Sequence, residues 1–135
     1  MKHFILLWML VLFVSSCTKE QSKDSLQKAP GDFAHVVYFW FENPENESER
    51  AAFEKSLFKF LNSSAYIVTK HVGTPAATTH RDVVDGSYTY SILLTFKNKA
   101  DQDLYQEEEV HIKFIEESSH LWKRVVVYDS ENILN

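Results

Sequence analysis

The sequence holds one cysteine, three glycines and three prolines among 135 residues. With the single cysteine at position 17, the rest of the chain has no disulfide and no thiol nucleophile. So few glycines and prolines exclude collagen-like and linker-like classes. Positive charge is also short, with 14 Lys plus Arg against 19 Asp plus Glu and a formal balance of −5. A chain with that balance is a poor candidate for gripping a phosphate backbone, which needs clustered cations, and no nucleic-acid partner is expected. There is no glycine-rich phosphate loop, no serine nucleophile elbow and no zinc-type ligand pair, so neither a metal nor an organic cofactor is expected. The longest apolar run, Phe4 to Val14, has eleven residues. A bilayer-spanning helix needs about 20. What the chain does have is aromatic mass: ten Phe, six Tyr and three Trp within an ordinary globular composition. One domain with a heavy core fits this length.

The start of the chain reads as an address. Met1-Lys2-His3 is a short basic opening, and the apolar run after it has the length of a secretory h-region. Val14-Ser15-Ser16-Cys17 then resembles the bacterial lipobox, in which the cysteine is acylated and becomes the new N-terminus. The resulting division is a signal peptide over 1–16, a lipidated Cys17 with a flexible tether over 17–32, and a folded domain over 33–135. Removal of the leader takes Lys2 and no acid, which moves the charge balance to −6. The resemblance implies a lipid-anchored protein of the bacterial cell envelope, held at a membrane without spanning it. Thr18 stands where an aspartate would argue for inner-membrane retention, which favours the outer membrane.

The body reads β-α-β-β-α-β. Strands are expected over Phe33–Glu42, Ala65–Val72, Tyr88–Phe96 and Lys123–Asp129. Asn46 and Glu49 have the spacing of a capping box, and Phe53, Leu57, Phe60 and Leu61 follow at helical spacing. A second helical stretch, Ala100–Leu121, is expected to break near Glu107-Glu108-Glu109. This order is the ferredoxin-like α+β arrangement, with a four-stranded antiparallel sheet and two helices on one face. Such a sheet normally turns one polar face to water. Here Phe33, His35, Val37, Phe39 and Phe41 share one face of the first strand, while Val36, Tyr38 and Trp40 occupy the other. Two helices cannot cover both faces, so a second copy packed sheet to sheet, a homodimer, is expected.

The body from His35 to Asp129 resembles the stress-responsive α/β-barrel (Dabb) family, small ferredoxin-like chains that pair into a dimeric barrel. The matching residues are His35, His71-Val72-Gly73, the strand Tyr88–Phe96, Tyr105 followed six residues later by His111, and Leu121 to Asp129. In the plant olivetolic acid cyclases of that family a Tyr and a His at the same spacing act as an acid-base pair without a cofactor. The resemblance therefore implies Tyr105 and His111 as catalytic residues, with His35 as a strand histidine of the ligand pocket. Tyr90 stands where the family has a second strand histidine, and Glu108-Glu109 replace a frequent His-Pro.

On their own chemistry, His111 can exchange a proton near neutral pH and Tyr105 can polarise a carbonyl. The other reading packs Tyr105 in the core and has His111 cap a turn. His35 sits among apolar residues either as a satisfied core histidine or as part of a pocket with Tyr90 and His111. Glu107 and His111 stand four apart, but a solvated acidic turn explains the Glu run better than a metal. The function expected is a membrane-anchored protein that binds a small hydrophobic or aromatic ligand between sheet and helices and can transform it without a cofactor. The alternative is a non-catalytic dimeric scaffold of the envelope.

Overall fold

A computed structural model describes residues 28–134. The expected signal peptide, Cys17 and most of the expected tether lie outside the described residues. The elements run β1 (Phe33–Phe41), α1 (Glu47–Ser63), β2 (Ile67–Gly73), β3 (Tyr90–Phe96), α2 (Lys99–Glu107), α3 (Glu109–Ser118), a 3-10 turn (Ser119–Leu121) and β4 (Trp122–Glu131). The four strands form one antiparallel sheet in the order β2-β3-β1-β4. This is the ferredoxin-like arrangement, with α1 and the α2–α3 pair on one face.

Local chemistry sets most boundaries. Asn46 caps α1, its side-chain oxygen accepting from the amides of Ser48 and Glu49. Its side-chain amide donates to Glu49, but its backbone N–H goes to the carbonyl of Asn43, so the expected capping box forms only its Asn46 half. Asn98 caps α2 in the same way through the amide of Asp101. The second helical stretch breaks at Glu108, whose backbone is extended.

Strand ends moved where side chains compete. Ser64 and Ala65 are held by Glu108 and do not join β2, which starts at Ile67. Tyr88, expected to open the third strand, instead sets its ring 4.9 Å from that of Tyr38 on the outer face. Thr89 bridges to β1 through its amide, to the carbonyl of Phe39, and its hydroxyl, which accepts from the amide of Phe41.

The core lies between the sheet and the helices. Every odd position of β1 from Phe33 to Phe41 is buried, and α1 inserts Phe53, Leu57, Phe60 and Leu61 against them. Phe53 is fully buried, with its ring within 6.3 Å of those of Phe39, Phe41, Tyr90, Phe114 and Trp122. The opposite face carries Val36, Tyr38, Trp40 and Tyr128, the last 62% exposed. β4 is an edge strand, and the helices do not reach over Val125 and Val127. That gap is the mouth of a cavity.

Candidate functional site

The cavity lies between β4 and α3 and measures about 160 Å³. Its polar end is formed by His35, Tyr105, Gln106 and His111, and its apolar walls include Val37, Phe39, Phe114 and Trp122. Three elements supply the polar end. His35 enters from β1 because it lies on the buried alternation of that strand. Tyr105 comes from the last turn of α2, and His111 from the first turn of α3. The break between the helices folds His111 back until its ring centre is 4.7 Å from that of Tyr105. The ring of His35 stands 5.8 Å from that of Tyr105.

Glu108 makes the break. Its two carboxylate oxygens accept from the hydroxyl of Ser64 and the amide of Ala65, at the end of α1. The Glu run is thus not simply a solvated acidic turn. Glu107 and Glu109 face water, but Glu108 ties the helix break to the α1–β2 connection.

Both imidazoles have one nitrogen committed. His35 Nδ1 lies 2.6 Å from Asp129 Oδ1, and His111 Nδ1 lies 3.2 Å from the carbonyl oxygen of Gln106. A carboxylate and a carbonyl only accept, so each Nδ1–H donates, and the neutral His111 ring keeps a bare Nε2. Burial holds the His111 imidazole below its ordinary range, with His35 pushing the same way and the Gln106 carbonyl and Glu108 opposing. Burial also drives the Tyr105 phenol well above its usual range, reinforced by Glu108 and Asp129. Near neutral pH the site therefore offers one phenolic donor beside a neutral imidazole acceptor.

Both readings of the Tyr–His pair describe part of the geometry. Tyr105 does pack in the core, against Phe60 and Phe96. His111 does cap a turn, binding an end carbonyl of α2. Neither contact removes them from the cavity wall.

Tyr90 is placed elsewhere. It pairs with Phe39 on β1, whereas His35 pairs with Leu94, four residues further along β3. Four residues of strand span about 13 Å. The ring of Tyr90 lies against Phe41 and Phe53, and its hydroxyl donates to Glu54. Three of the four expected residues share one cavity, and Tyr90 lines another. Asp129 is the partner that sequence reasoning missed as a site residue. Its signal is the antiparallel register that sets it across from His35.

The family model of the stress-responsive A/B barrel domain, Dabb, matches residues 33–132. The chain belongs to the Dabb family. No curated protein gives a significant sequence match. This Dabb domain is similar in fold to a hydroxynitrile lyase from Passiflora edulis, with a TM-score of 0.65 and 17% identity over 79% of this chain and 98% of that one. A Dabb family protein with a ferredoxin-like fold from Mesorhizobium loti gives 0.62 at 15% identity, covering 76% and 98%. A dimeric ferredoxin-like protein of unknown function from Thermobifida fusca gives 0.62 at 11%, covering 78% and 95%.

Proposed function

We propose that this Dabb chain is a lipid-anchored envelope protein that pairs as a homodimer and binds a small hydrophobic or aromatic ligand in the His35–Tyr105–His111 cavity. There it moves a proton without a metal or an organic cofactor. The observation that carries the reading is the Tyr105–His111 contact: a protonated phenol 4.7 Å, ring to ring, from an imidazole whose Nδ1 is already bound. A ligand carbonyl that accepts from the Tyr105 hydroxyl is polarised toward enolate. The bare Nε2 of His111 takes the proton from the adjacent carbon and returns it to another atom of the ligand. The negative charge that develops on oxygen is held by the phenolic hydrogen bond. Proton transfer of this kind contributes typically 10²–10⁴-fold. His35, held by Asp129, stands at the same end of the cavity within reach of the same ligand.

The anchor rests on the lipobox-like run ending at Cys17. Acylation of Cys17 is expected in the mass spectrum of the mature protein, and Cys17→Ser should release the chain from membranes after a carbonate wash. The homodimer rests on the uncovered aromatic face of the sheet and on the dimeric relatives of the fold.

The deciding experiment is a thermal-shift screen of the chain from residue 17 onward carrying Cys17→Ser, against hydrophobic acids, ketones and phenols. Tyr105→Phe and His111→Gln should each weaken binding of a hit by about 1–3 kcal/mol, the cost of one buried hydrogen bond. A parent that binds nothing across the panel returns the protein to a non-catalytic scaffold.

A further inference from the structure

Tyr90 opens onto a cavity of about 390 Å³ at the other end of the sheet, between α1 and the β2–β3 edge. Small-molecule pockets occupy roughly 300–1,000 Å³. Its lining is Glu54 and Phe58 from α1, Val72 and Gly73 from β2, Thr74, and Tyr90. It shares no lining residue with the His35–Tyr105–His111 cavity. The rings of Phe41 and Phe53 pack directly on Tyr90, 5.4 and 4.9 Å away, on the core side.

Glu54 is the one charged group that lines this cavity, and it is an acceptor. Tyr90 is 2% exposed and its hydroxyl hydrogen is committed to Glu54 Oε1. Burial, then that carboxylate, pushes the phenol up to about 12, so it keeps its proton. Glu54 has no ion-pair partner among the described residues. The nearby Arg50 lies over the Tyr90 ring, 4.8 Å from its centre, and donates to the carbonyl of Pro44. One turn beyond Glu54 on α1, Phe58 is 46% exposed at the cavity wall. A carboxylate with a free oxygen beside an open aromatic face suits an ammonium group carried on an apolar body.

We propose that this second cavity binds a primary ammonium compound, its cation on Glu54 and its apolar part against Phe58. The proposal goes beyond the proton-transfer reading and does not depend on it. The test is calorimetric titration of the chain from residue 17 onward, carrying Cys17→Ser, with phenethylammonium and its uncharged counterpart phenethyl alcohol. The ammonium should bind saturably and about tenfold or more tighter than the alcohol, since a charged hydrogen bond is at stake. Glu54→Gln keeps an acceptor for Tyr90 and should erase the preference. Phe58→Ala, at an exposed position, should weaken both probes, and His111→Gln should change neither. No saturable binding of the ammonium, or equal binding of the two probes, overturns the proposal. So does loss of binding in His111→Gln with Glu54→Gln unaffected, which places the probe in the first cavity.

Discussion

Asp129 and His35 are register partners across β1 and β4, and their side chains meet at 2.6 Å on the helix-facing side of the sheet. The aspartate side chain is 44% exposed, while the histidine is almost wholly buried. The carboxylate thus reaches in from the strand edge and sets the tautomer of a ring that water barely touches. An oriented imidazole of this kind presents Nε2 to the cavity without any further adjustment.

Asp129→Ala should free that ring. The expected stability cost is about 1 kcal/mol, because the carboxylate is half in water. The more telling readout is the imidazole ¹⁵N spectrum, in which His35 should change from a fixed Nδ1–H form to a mixture of tautomers. An unaltered spectrum would show that the carboxylate does not orient the ring.

His111 should make the fold acid-sensitive. Its native pKa is lowered by burial, so between that value and the unfolded value of about 6.5 the unfolded chain binds more protons. Its contribution to unfolding free energy is flat above that window and falls as pH drops through it. Melting temperature followed from pH 7.5 to 5 should decline more steeply in the parent than in His111→Gln. Parallel curves would sink this assignment.

Glu108→Ala removes the two hydrogen bonds that join the helix break to Ser64 and Ala65. A loss of about 1–3 kcal/mol is expected, as for hydrogen bonds to a charged group. Hydrogen exchange at the Ala65 amide should accelerate well beyond the global change. If Ala65 exchanges as in the parent, the carboxylate is not what pins the break.

Val36→Glu tests the homodimer. Val36 lies on the outer face of β1, on the same side as Tyr38 and Trp40 and across from Tyr128 and Leu93. A buried charge there has no partner and costs several kcal/mol. Light scattering should report monomer or aggregate, and a well-folded native dimer would place the interface elsewhere.

Much of the fold was legible along the chain. The Asn46 cap is a local signal, decided by a side chain within a turn of the backbone it binds, and the Glu run marked where the second helical stretch breaks. The alternation of β1 separated a helix-facing set, His35 included, from an outer set of aromatics, because side chains of a strand alternate whatever the strand packs against. The resemblance to the Dabb family marked Tyr105 and His111, which the fold brings into contact.

What the sequence determined by itself was therefore the element order, the two faces of the sheet and the residues on each, all set by interactions of short range. Tertiary structure alone decided which of those residues share a site. Asp129 reached His35 through strand register, a relation between residues 94 apart that no local pattern encodes. Tyr90 sits on the same sheet face as His35, yet about 13 Å of strand and the rings of Phe41 and Phe53 direct it to a different cavity. Periodicity assigns a residue to a face; position along that face depends on how strands pair and what the core packs between them.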